Sequence, residues 1–210
     1  MSEIIQQAKN FLKNRLYSNS SVSSEEKDYR YYHSLRVSVI GKELAKKEGG
    51  NLLTIELACI LHDVGKFESP TEVAHGRISA QVARQFLKTT DLAETQINDI
   101  CYAIAVHVDG DAGYRYPKII EADIVTDADN IDRFDVLRIV QNFNYEKLET
   151  LPPAECKEVL TNKINRFGTF LQKGNLETTE GTRLFKEKMA FQLEFYKKYL
   201  TQIEQTLSEL

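Results

Sequence analysis

Apolar residues recur at three- and four-residue spacing along nearly the whole chain, a rhythm that suits helices and leaves little room for strands. Glycine and proline, ten and four among 210 residues, fall mostly between the periodic segments. Residues 3–17 carry Ile4, Ile5, Ala8, Phe11, Leu12 and Leu16 on one side, so the spacing predicts an amphipathic helix there. After a polar SNSSVSS linker, Ser23 and Glu26 form an S-x-x-E capping box that opens a long helix, and Gly49-Gly50 ends it. Further helices are expected at about 54–63, 72–88, 95–108, 118–147, 153–172 and 178–208. Val64-Gly65, Pro152-Pro153 and Gly174-Asn175 supply breaks. No alternating strand pattern, internal repeat or low-complexity tract is present. The expected fold class is all-α, a single domain over 1–210.

Composition narrows the partners. The formal net charge of −4 removes the whole-protein basic field of a dedicated nucleic-acid-binding domain, while leaving room for a local cationic site. Cys59, Cys101 and Cys156 are widely spaced and form no C-x-x-C pair, so a disulfide framework is not expected and a reducing cytoplasm is. No stretch approaches the roughly 20 apolar residues of a membrane span, and the first residues lack the apolar core of a signal peptide. Near the C-terminus, Phe185, Met189, Tyr196, Tyr199, Ile203 and Leu207 form an apolar stripe. It would suit a homodimer seam. Leu184, Phe191 and Phe195 broaden it beyond a strict two-position seam, so packing within its own bundle is preferred.

The four histidines sharpen the reading. His33 is in register with Val37, Ile40 and Leu44, and His62 with Ile55, Ala58 and Cys59. His75 leads Ile78, Val82 and Phe86, and His107 ends the run Ile97, Ile100, Ile104. Each therefore lies on the apolar side of a different predicted helix. One such histidine is ordinarily a satisfied core residue. Four facing inward need partners, and a shared metal ion with carboxylates satisfies them most economically. Asp63 directly follows His62 at a helix end, and EADIVTDADNID supplies Asp123, Asp127, Asp129 and Asp132 in a largely apolar helix. Helical phase favours Asp127 among these as an inward-facing group. No P-loop, GxGxxG, G-x-S-x-G or H-E-x-x-H motif competes, and Cys-rich structural zinc ligation is absent.

His33, then His62-Asp63 twenty-nine residues later, then an aspartate in a downstream helix resembles the HD superfamily of metal-dependent phosphohydrolases. LACILHDVGK is similar to the family's apolar helix running into H-D-x-G-K. AHGRISAQVA resembles the H-G-x-x-x-A-x-x-A segment of two-metal members, AIAVH their A-I-x-x-H segment, and IVTDADNID the closing D-A-D-x-hydrophobic stretch. The resemblance spans about residues 28–140. It implies an HD-domain helical bundle with a core at about 28–145 and a C-terminal helical extension at about 146–210. A single histidine after Val106 departs from the paired histidines of cyclic-dinucleotide hydrolases, and the segments look closer to HD-type diadenosine tetraphosphate hydrolases.

The resemblance implies site roles as well. His33, His62, Asp63 and Asp129 match the H…HD…D metal set, and the pattern Ala-Asp-x-hydrophobic favours Asp129 over Asp127. His75 and His107 match the pair that gives binuclear members a second ion, with Asp63 bridging and catalytic. Lys66 matches the lysine that often meets substrate phosphate, and Arg77 and Arg133 are further phosphate candidates. The implied cofactor is one or two divalent transition ions, Mn, Fe, Co, Ni or Zn, which imidazole and carboxylate ligands suit. Two ions about 3.5–4 Å apart would activate water and clamp a phosphoryl oxygen. The implied substrate is a nucleotide or other small phosphorylated metabolite. Three alternatives stay open: a di-iron oxygenase on the same scaffold, a non-catalytic metal-bound sensor or scaffold, and a mononuclear enzyme in which His75 and His107 touch substrate.

Overall fold

In a computed structural model, described over residues 3–209, the chain is all-α, with no strand among the described residues. No helix there is long and apolar enough to cross a membrane. The chain divides into two compact units. The first comprises the described residues up to Asp132 together with Glu177–Gly181. It holds α1 (Glu3–Tyr17), α2 (Ser24–Glu48), α3 (Leu52–Leu61), a short 3₁₀ turn (Lys66–Glu68), α4 (His75–Leu87), α5 (Glu94–Val106) and α6 (Ile120–Asp132).

Local chemistry places these boundaries. Ser23 caps α2, its hydroxyl accepting from the Glu26 amide at 3.2 Å, as the capping-box spacing predicts. Gly49 ends the helix at φ +87°, a left-handed conformation that a side chain would strain. Asn51 caps α3 by accepting from the Thr54 amide at 3.0 Å. Replacing Ser23 with alanine is expected to lower stability by about 1 kcal/mol, measured by equilibrium denaturation.

The apolar sequence of α3 is buried nearly all round: Ile55, Leu57, Ala58, Cys59, Ile60 and Leu61 are fully covered. It packs against α1, α2, α5 and α6, so every neighbour is registered on one central rod. A helix that is apolar on all sides can sit only at such a centre. Because α3 runs directly into His62-Asp63, the chemistry-bearing dipeptide is delivered to the middle of the unit.

The second unit runs from Arg133 to Leu176 and resumes at Thr182. It holds α7 (Val136–Glu146), α8 (Pro153–Lys173) and most of α9 (Thr179–Leu207). The helix expected over 118–147 is two helices. Asp135 caps the second one, accepting from the Val136 amide at 2.7 Å, and so interrupts the period. Within this unit Phe185, Met189 and Tyr196 of α9 are buried, with Tyr196 against Phe143 and Phe167. Phe191 and Phe195 stay exposed, so the covered stripe is narrower than the sequence suggests. All three cysteines are buried and free.

Candidate metal centre

Five segments of the first unit deliver the site. His33 comes from the middle of α2, and His62-Asp63 from the point where α3 ends. His75 is the first residue of α4, His107 the residue after α5, and Asp129 lies on α6. The break after α3 lets two adjacent side chains reach one place, which a regular helix would turn about 100° apart.

The hydrogen bonds at the backs of the rings fix their protonation. The Nδ1–H of His62 donates to the Cys59 carbonyl at 2.8 Å, and that of His107 to the Ile104 carbonyl at 2.7 Å. The Nδ1–H of His75 meets the Glu72 carbonyl, and that of His33 donates to Asp132 Oδ2 at 2.7 Å. With each Nδ1 facing an acceptor, all four rings turn Nε2 inward. There Nε2 of His33 lies 3.2 Å from Nε2 of His62, and Nε2 of His75 lies 3.1 Å from Nε2 of His107. Two lone pairs at that separation repel unless a cation, either a proton or a metal, lies between or beside them.

Carboxylates complete both pairs. Asp129 Oδ1 is 3.0 Å from His33 Nε2 and 3.8 Å from His62 Nε2. Asp63 spans the two pairs: Oδ2 is 3.5 Å from His62 Nε2, and Oδ1 is 3.1 Å from His75 Nε2. That buried Oδ1 has no hydrogen-bond partner, since the His75 proton sits on the far side of its ring. Two triads able to hold an ion result, His33–His62–Asp129 and His62–Asp63–His107. Nitrogen and carboxylate donors with an orphaned buried oxygen fit a divalent transition metal.

Charge follows the same division. Burial opposes the charge on His33, but Asp129 and Asp132 outweigh it and raise its pKa to about 9. Burial and the neighbouring His62 lower that of His107 to about 4. Against burial, His62, His75 and Arg30 hold the Asp63 carboxyl well below its usual range, and His33 and His62 do the same for Asp129.

Of the residues singled out in the sequence, His33, His62, Asp63, His75, His107 and Asp129 come together here. Lys66 stands beside them, with Nζ 3.1 Å from His75 Nδ1 and 2.5 Å from Glu72 Oε2. Asp127, which helical phase favoured, instead accepts from the Glu177 amide, the Thr178 amide and the Thr178 hydroxyl at 2.6–2.9 Å. Arg77 pairs with Asp109 at 3.0 Å and donates to the Asp111 carbonyl. Arg133 belongs to the second unit.

Two further residues carry weight that sequence reading did not assign. Arg30 donates to Asp63 Oδ2 at 2.7 Å, and Asp132 bonds both His33 and, through two contacts, Arg36. Each lies three residues from a ligand candidate on the same helix, Arg30 before His33 and Asp132 after Asp129. That spacing was the available signal. Beside His107 opens a cavity of about 440 Å³ lined also by Tyr102, Asp109, Lys118 and Thr126.

Residues 30–133 match the family model described as the HD domain. Three solved structures share the fold. An HD-superfamily hydrolase from Bacillus thuringiensis has a TM-score of 0.65 and 20% identity, covering 99% of this chain and 98% of that one. A predicted HD superfamily hydrolase from an uncultured Thermotogales bacterium has a TM-score of 0.63 and 20% identity, covering 94% and 91%. Bacillus subtilis YpgQ in complex with ADP has a TM-score of 0.63 and 16% identity, covering 94% of each. No curated protein matches the chain.

Proposed function

The chain is an HD-domain protein, and from that premise we propose that it hydrolyses a phosphoester in a nucleotide or other small phosphorylated metabolite. HD domains bind divalent metals, and membership supports a metal-dependent hydrolase in general. The observation that carries the finer reading is the convergence of four Nε2 atoms with Asp63 between the two histidine pairs. YpgQ, whose fold is similar, holds ADP, which favours a nucleotide among phosphorylated substrates.

When bound, a divalent ion there lowers the pKa of coordinated water from about 16 toward about 7 and offsets phosphoryl charge. The protein residues do the rest. We assign His33, His62, Asp63 and Asp129 to one ion and His75, His107 and Asp63 to a second, with Mn, Fe, Co, Ni and Zn all suited to the donors. Asp63 holds the two halves at a fixed spacing. Arg30 and Lys66 place positive charge beside it, in position to take up non-bridging phosphoryl oxygens. Asp132 locks the His33 ring, so that Nε2 can face only inward. The three buried free cysteines suit a reducing cytoplasm.

The test is phosphate release from a broad nucleotide panel after reconstitution with Mn²⁺, Fe²⁺, Co²⁺ or Ni²⁺. Release is expected; its absence with every ion, or iron-dependent oxygen uptake in its place, overturns the reading. His62→Ala is expected to lose bound metal while keeping its helical circular dichroism. Asp132→Asn keeps every proposed ligand yet removes the charge behind the His33 ring, and is expected to weaken metal affinity by about 10- to 100-fold, read by competition with a chelator.

A further inference from the structure

The cavity beside His107 does not stand alone. It shares Tyr102 and Gly110 with a second cavity of about 490 Å³, lined by Tyr102, Tyr114, Arg115 and Tyr116. Both volumes fall in the range of small-molecule sites, roughly 300–1,000 Å³. Tyr102 lies on α5 five residues before His107, about 7–8 Å along the helix axis. The two cavities therefore adjoin along α5, the second forming an aromatic end.

That end is a cluster of three tyrosines. The Tyr102 and Tyr116 rings are 4.8 Å apart, and Tyr114 stands 6.5 and 6.3 Å from them, steeply inclined to both. Tyr116 is anchored by its hydroxyl, which donates to Asp99 Oδ1 at 2.7 Å. Tyr114, in contrast, is half exposed at 49% and makes no hydrogen bond among the described residues. Arg115 and Asp111 line the same cavity, with no ion pair between them among the described residues. Exposed rings beside a guanidinium suit the stacking of a flat, uncharged π-system.

We propose that the pocket of Tyr102, Tyr114 and Tyr116 is a nucleobase subsite, seating the base of a nucleotide whose phosphate reaches the metal centre. The inference deepens the hydrolase reading and rests on it for the position of the phosphate. Tyr114 stacks on the base, and Arg115 covers the edge of the pocket. A substrate without a base would use only the phosphate end.

The experiment is calorimetric titration of the metal-loaded full chain with two uncleavable ligands, the methylene phosphonate analogues of AMP and of ribose 5-phosphate. They differ only in the base. Wild type is expected to bind the AMP analogue about 10- to 100-fold more tightly. In Tyr114→Ala that ratio falls toward one, whereas Tyr114→Phe keeps it. Equal affinities in wild type, or a ratio unmoved in Tyr114→Ala, overturn the subsite. Base preference without hydrolysis of any nucleotide upholds the subsite and removes the hydrolase reading. Hydrolysis with no base preference does the reverse.

Discussion

Asp63→Asn is expected to lower phosphoester hydrolysis by about 10³-fold or more and to leave the protein with less bound metal. The amide keeps the shape of the side chain and removes what the centre uses. One carboxylate oxygen becomes an NH₂ donor, and the negative charge shared between His62, His75 and Arg30 is gone. Arg30 then keeps only Glu26, 3.2 Å from its Nε, as a carboxylate partner, so the largely buried cation is less well compensated and stability falls. The pH dependence has a definite sign. The Asp63 carboxyl is held below its usual range, so its stabilising contribution is present above the unfolded carboxylate pKa and is lost as pH falls through the lowered value. Asp63→Asn has no such acid-labile contribution. Turnover at saturating metal, metal content by mass spectrometry and denaturation at neutral and acid pH check all three points. A variant that kept wild-type metal content and rate would remove Asp63 from the mechanism.

Gly76→Ala is expected to act on the same centre without touching a ligand. A Cβ at Gly76 would stand 2.7 Å from the Ala105 carbonyl oxygen and 3.2 Å from both the Ile104 carbonyl oxygen and Val108. These are mostly backbone atoms of α5 and its end, so the helices must separate. His75 precedes Gly76 on α4, and His107 follows α5, so their 3.1 Å Nε2 spacing opens with the helices. A stability loss of about 1–3 kcal/mol is expected from the overpacking. The metal held on the His75–His107 side should weaken while the His33–His62–Asp129 side keeps its ion. The denaturation midpoint and the number of ions per chain measure these effects. Gly168→Ala is the control: it lies within α8 with nothing within 4 Å of its Cβ, so it should be neutral or slightly stabilising.

How far the sequence could be read varied with the kind of signal. Ser23 with Glu26, and Gly49, marked the ends of α2 because capping is local chemistry that the structure had no reason to override. The turn at Arg133–Asp135 was invisible because the apolar period continues across it, and Asp135 is one more aspartate in a run that already holds four. The histidines were legible because each interrupts an apolar stripe. The choice of Asp129 needed the resemblance as well, since helical phase alone pointed to Asp127, which is buried for another reason. Arg30 was not legible as a site residue, and Asp132 only as one of four acids in its helix, with no role. A charge on a helix flank looks like a solvated group until a partner from another element, Asp63 or His33, is seen against it.

The first unit is discontinuous in sequence: the chain leaves it at Asp132 and comes back for Glu177–Gly181. The returning stretch gives two amides and a hydroxyl to the fully buried Asp127, offsetting part of the burial that still holds its carboxyl above the usual range. Excision of the histidine-bearing helices as one uninterrupted fragment would thus strand an acid in the interior with no donor to meet it. Trimming experiments on this protein should splice the 177–181 segment back in, or keep the polypeptide whole.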